Sequence, residues 1–217
     1  MTKLLSRYYT RGFHKLFYYS FFGKESLNIY WMGVPTAKCP LDMWVYQEII
    51  YETKPEVIIE TGTFYGGSAL FFASIFDLMK RGQVITIDIA NNCKAYHPRI
   101  TKIIGNSISD EVINQVKEIV GNKTAMVVLD SDHSKDHVLK EMELYSEFVS
   151  VGNYLVVEDT NINGHPVLLG WGEGPMEAVE EFLRRRDDFV IDRSREKFLL
   201  TFYPKGFLKR VNQNKRT

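Results

Sequence analysis

Acids close four apolar runs of this chain: Glu60 after VII, Asp88 after VITI, Asp130 after AMVVL, and the pair Glu158–Asp159 after YLVV. Asp132 and His133 follow directly in LDSDHS. Three or four carboxylates gathered in one crevice repel one another unless they are protonated or bridged by a hard cation. With oxygen ligands and no histidine cluster, Mg2+ is the expected ion, and manganese or calcium can substitute. Such an ion lowers the pKa of a hydroxyl bound to it. His133, with an ordinary pKa of about 6.5, then suits the general base, or else it caps the next helix. His137 lies one helical turn further on and reads as structural. His165, in the NGHP stretch 163–166, either reaches an acceptor or braces its own loop, and GWGEGP (170–175) suits a mobile wall over that acceptor.

The first of these acids opens a glycine loop, ETGTFYGGSA at 60–69. Glycines there allow tight turning and close backbone approach to a ligand at a helix N-terminus. The spacing is G-x-x-x-G-G and not the dinucleotide fingerprint G-x-G-x-x-G. A carboxylate just before the glycines repels a pyrophosphate but suits a ligand that carries a sulfonium and an ammonium, which favours S-adenosylmethionine. The alternative is a plain strand-to-helix turn. Asp88, closing the next strand, is placed to meet ribose hydroxyls.

Something must bring these positions to one edge. From residue 40 onward, strand-length apolar runs alternate with helix-period segments, the pattern of an α/β protein with a mostly parallel sheet. Strands are expected at 57–60, 84–88, 100–104, 125–130, 154–158, 189–191 and 198–203, and helices at 41–51, 68–80, 110–120, 135–149 and 175–186. In the fourth helix Val138, Met142, Tyr145 and Phe148 or Val149 form one buried stripe. Nearly continuous apolar strands such as VII and AMVVL are those of a sheet covered on both faces, and ligands of such sheets bind at the strands' carboxyl ends.

The chain has 217 residues, 45% hydrophobic and 25% charged, which is ordinary globular composition and excludes a disulfide scaffold or a disordered chain. Cys39 and Cys93 form no metal or redox motif, so a reducing cytoplasm is the default location. Residues 1–26 carry five bases against one acid and residues 205–217 five against none, while the rest carries 17 against 26. That acidic body argues against nucleic acid as a partner. We therefore divide the chain into an N-terminal aromatic and basic arm (1–30), an α/β domain (31–204) and a basic, solvated tail (205–217). The arm either rests on an anionic membrane surface, the inner one, or on substrate, or it packs on its own or a neighbouring subunit.

KCPLDMWVYQEII, IIETGTFYGGSALFFASI, LDSDHSKDHVLKEMELY, VVEDTNINGHPV, GPMEAVEEFL and DRSREKFLLTFYPKGFLKR together resemble the cephalosporin hydroxylase family across roughly residues 30–210. That family comprises S-adenosylmethionine-dependent O-methyltransferases, also met as rhamnosyl O-methyltransferases and related to macrolide sugar O-methyltransferases. The resemblance implies a Rossmann-like, doubly wound, seven-stranded sheet of the methyltransferase type. It implies S-adenosylmethionine held by Glu60, Gly62, Thr63, Tyr65, Gly66 and Ser68 with Asp88 and Asp130. Mg2+ would rest on Asp130, Glu158 and Asp159, with Asp132 a competing first ligand, and His133 would be the base. The acceptor is expected to be a sugar hydroxyl of a glycoconjugate, polysaccharide or glycosylated natural product, or else a non-sugar, cephem-like natural product. A homo-oligomer is expected. A nicotinamide-dependent oxidoreductase is disfavoured by the missing fingerprint, and a membrane-recruited scaffold is the non-enzymatic alternative.

Overall fold

The computed structural model describes residues 3–22 and 29–212. Helix α1 (Lys3–Phe17) runs into a π turn at Tyr18–Phe22, and a two-residue ribbon, β1 (Tyr30–Trp31) with β2 (Val34–Pro35), leads to α2 (Pro40–Thr53). Then follow β3 (Val57–Thr61), α3 (Gly67–Met79), β4 (Gln83–Asp88), β5 (Ile100–Ile104), α4 (Asp110–Val120), β6 (Ala125–Leu129), α5 (Lys135–Tyr145), β7 (Tyr154–Val157), α6 (Pro175–Arg185), β8 (Phe189–Ile191) and β9 (Phe207–Arg210). The larger sheet has the order β5-β4-β3-β6-β7-β9-β8. Its first five strands are parallel, and β9 is antiparallel to both β7 and β8. Chain order reverses between β3 and β6, so a crevice opens there at the carboxyl ends.

Period-two alternation divides the central strands between two cores. Val57 and Ile59 pack with α4, α5 and α6, and Ile58 packs with α2 and α3. Local chemistry starts the helices where the sequence signals them. Ser109 Oγ accepts from Val112 N at the start of α4, and Glu177 Oε2 accepts from Gly174 N beside Pro175 at the start of α6. The stripe Val138, Met142, Tyr145 and Val149 is buried, although α5 itself stops at Tyr145.

Two expectations about the C-terminal part are corrected. Residues 198–203 form no strand. Phe202 N is instead bound by the Asp42 carboxylate at 2.8 Å, and Phe202 O accepts from Asn161 N. The seventh strand lies in the supposed tail, at Phe207–Arg210, inserted beside β7, so the α/β domain extends past residue 204. The basic pattern misleads because Arg210 is an inside residue: its guanidinium donates to Ser146 O and Val149 O and faces Asp188.

The described part of the arm folds back on its own domain. His14 is buried, stacks on Phe202 at 5.4 Å between centroids, and its Nε2 accepts from Asn161 Nδ2 at 2.9 Å. The neighbouring stretch 23–28 lies outside the described residues. Burial lowers His14 from 6.5 to about 4, so the unfolded or undocked form takes up a proton first as the pH falls. Docking is therefore complete above about pH 6.5 and weakens toward pH 4, by up to about 3 kcal/mol. Amide exchange of α1 at pH 7.5 and pH 5 checks this, and equal protection at both refutes it.

Candidate active site

At the carboxyl ends of β3, β4, β5 and β6 lies a cavity of about 620 Å³. Its wall includes Gly62, Phe64, Asp88, Asn106, Ser107, Asp130, His133, His137 and Asp159. Gly62 is required twice over. Its φ is +86°, and a Cβ there would lie 1.9 Å from the Asp130 carbonyl oxygen, so the loop after β3 crosses directly against the end of β6. Asp88 accepts from Phe64 N (2.8 Å) and Ala90 N (2.9 Å), which fixes its carboxylate at the cavity rim.

Other members of the expected donor loop stand behind that wall. The Thr63 and Thr86 hydroxyls are 2.7 Å apart, and Thr86 donates to Glu60 Oε2 at 2.7 Å. Glu60 is wholly buried on the same strand face as Ile58, and burial raises it to about 7. Tyr65 carries Lys94 Nζ over its ring at 4.3 Å. Gly66, with φ +86°, turns against Cys93 and Ala95, and Ser68 is buried in the first turn of α3. These residues shape the loop without bordering the cavity.

Asp130, His133 and Asp159 each bring one ligand atom within 4.8 Å of the others. His133 Nε2 and Asp159 Oδ2 are 3.5 Å apart. Burial lowers His133, but Asp159, Asp130 and Glu158 outweigh it and hold the imidazole above its ordinary value. Burial raises Asp130 to about 6 and raises Asp159 as well, each opposed by a nearby cation, Lys38 for the first and His133 for the second. The two desolvated carboxylates fit a hard divalent ion, and the imidazole stands within reach of a group bound to it. Asp132 also borders the cavity but is not one of the three converging groups, and its Oδ1 accepts from Ser134 N at 2.7 Å ahead of α5. His165 Nε2 lies 3.0 Å from Glu177 Oε1, which braces its loop and is the second of the two roles expected for it. Trp171 Nε1 donates to His133 O at 3.4 Å, which ties the glycine-rich 170–175 stretch to the backbone beside the cluster.

Glu158 is not free in this arrangement. Its Oε1 accepts from Tyr46 OH at 2.6 Å and its Oε2 from Lys38 Nζ at 2.7 Å, while Lys38 also meets Asp130 at 2.5 Å. Lys38 is 3% exposed and comes from the loop between β2 and α2. Burial works against its charge, but Asp130, Glu158 and Glu60 hold the ammonium well above its ordinary value. Sequence reasoning passed over Lys38, although five strand-end acids in an acidic body call for an internal cation. It also passed over the Gly105–Ser107 corner; His137, read as structural, borders the cavity there, its Nε2 3.2 Å from Ser107 Oγ and 3.5 Å from buried Glu141.

A metal ion competes with protons for these groups. Mg2+ affinity is expected to be flat above about pH 7, where Asp130 is ionised, and to fall below about pH 6. The fall is up to about tenfold per pH unit for each proton displaced. Calorimetric titration at pH 8 and pH 5.5 measures it, and equal affinities contradict it.

The family model for rhamnosyl O-methyltransferase/CmcI matches residues 24–211. This chain belongs to that family. Within the rhamnosyl O-methyltransferase/CmcI family, a rhamnosyl O-methyltransferase of Mycobacterium leprae is 40% identical over 206 residues, covering 90% of this chain and 88% of the relative. One of Mycobacterium tuberculosis is 42% identical over 197 residues, covering 83% and 80%. Among solved structures, CmcI with Mg and SAM is 22% identical and superposes with a TM-score of 0.68 over 86% of this chain and 78% of that one. That likeness concerns the fold, and it matches the seven-stranded sheet read from the sequence.

Proposed function

We propose that this chain is a Mg2+-assisted, S-adenosylmethionine-dependent O-methyltransferase acting on a sugar hydroxyl, with a rhamnosyl residue as the first acceptor to test. The observation that carries the reading is the convergence of Asp130, His133 and Asp159 on a cavity bordered by Gly62 and Asp88. The names of the relatives at 40–42% identity support the acceptor class. When bound, the donor supplies an electrophilic methyl carbon and the divalent ion supplies Lewis acidity at the acceptor hydroxyl.

The chain's own residues do the rest. Asp88, at the end of β4, would accept hydrogen bonds from the ribose hydroxyls of the donor. Gly62, lacking a side chain, lets the loop after β3 close against the end of β6 and so shapes the cavity wall beside which the donor would lie. Asp130 and Asp159 would hold the cation, and Glu158, fixed by Tyr46 and Lys38, sets the position of Asp130 through their shared lysine. His133 Nε2 takes the acceptor proton, and the facing Asp159 carboxylate stabilises the imidazolium that results. The half-exposed Trp171 and its loop limit water at this point.

Incubation with S-adenosylmethionine, Mg2+ and a panel of rhamnosides, read by mass spectrometry, tests the reading. A mass gain of one CH2 per acceptor is expected. Absence of any binding heat with S-adenosylmethionine at millimolar concentration overturns it.

A further inference from the structure

Helix α1 is turned the unusual way round. The residues it lays against the domain are Ser6, Thr10, His14 and Phe17, at helical steps of four, four and three, and most are small or polar. The large apolar residues point outward: Tyr8 is 74% exposed, Phe13 54% and Leu16 63%, with Tyr9 exposed between them. Arg7, Arg11 and Lys15, one turn apart from each other, form an exposed basic row beside this stripe. No acid occurs anywhere from Lys3 to Phe22. A helix that exists only to pack on its own domain buries its apolar stripe and not the opposite side.

We propose that α1 is an interfacial helix whose outward side lies on an anionic lipid surface. Such a surface offers an acyl region for Tyr9, Phe13 and Leu16 and phosphates for the adjoining bases. Pairing with α1 of a second copy would bury the same stripe, but it brings two basic rows together with no acid on the helix to offset them. Anchorage to the domain is firm. His14 is held by Asn161, two residues beyond Asp159, and Tyr19 OH accepts from Leu168 N at 2.9 Å. Leu169, next in sequence after Leu168, is exposed as well. Among the described residues no helix is long and apolar enough to cross a membrane, so the contact is peripheral.

The test is co-sedimentation of the full chain with vesicles of equimolar phosphatidylglycerol and phosphatidylcholine, against phosphatidylcholine alone. Partition to the anionic vesicles only, lost in molar salt, is expected. Arg7→Glu with Arg11→Glu, and separately Phe13→Asp with Leu16→Asp, each lower it at least about tenfold, while melting temperature and the binding heat of S-adenosylmethionine stay unchanged. Three results overturn the proposal: no partition, equal partition to both vesicle types, or variants that bind vesicles like the parent. A fourth is loss of an oligomer by the Phe13→Asp, Leu16→Asp chain in analytical ultracentrifugation without any vesicle binding by the parent, which would make this side a subunit interface.

Discussion

The Asp130→Asn variant is expected to lose measurable Mg2+ binding and to transfer methyl groups about 10²- to 10³-fold more slowly, whereas Asp132→Asn keeps both within a few fold. The two acids stand two residues apart in one loop, yet only Asp130 faces His133 and Asp159. Asp132 spends its carboxylate on Ser134 N. A ligand carboxylate that holds a Lewis-acidic ion supports several kcal/mol of charge development, and each 1.36 kcal/mol is a factor of ten in rate. Mn2+ binding followed by electron paramagnetic resonance separates loss of the ion from loss of chemistry. Undiminished Mn2+ binding by Asp130→Asn, or its loss in Asp132→Asn, reverses the assignment.

The second large effect concerns stability. Lys38→Met is expected to cost about 3–5 kcal/mol of unfolding free energy at pH 8, because removing one partner strands the buried Glu158 and the partly buried Asp130 without a counter-charge. The sign of the pH dependence follows from the acids. Glu158 already sits at about 7 in the native protein, raised chiefly by burial and by Asp130 and held down by Lys38. Without the lysine it rises further. Its folded-state pKa then exceeds the unfolded one by more, so the variant regains stability as the pH falls through and below 7. Urea denaturation of both chains at pH 8 and pH 6 measures the difference and its shrinkage. A difference below about 1 kcal/mol at pH 8 means that the two carboxylates are not stranded by loss of the lysine.

The sheet was legible because buried parallel strands are written as unbroken apolar runs, and VII and AMVVL admit no other reading with helix-period segments on either side. The strand-end rule then located Asp88, Asp130 and Asp159 at one edge without any coordinates. Glu60 is less legible: strand alternation puts it with Ile58, under the loop, where Thr86 binds it. The last strand was missed because its bases, Lys209 and Arg210, look solvated, and only the tertiary carbonyls of Ser146 and Val149 explain a buried guanidinium. Lys38 was missed for a related reason. Its partners lie 92 and 120 residues away, and no local period reports a contact of that range.

Insertion of β9 between β7 and β8 bears on how the protein is made. Until residues 207–210 have been synthesised, one hydrogen-bonding edge of β7 lies open in the middle of the apolar sheet, with Tyr154, Leu155 and Val156 unpaired on that side. A nascent chain paused short of that point presents a sticky β-edge to its neighbours on the same messenger, a situation that holdase chaperones relieve. Stop codons placed just after residue 204 would thus yield inclusion bodies, and not a catalytically competent shorter enzyme.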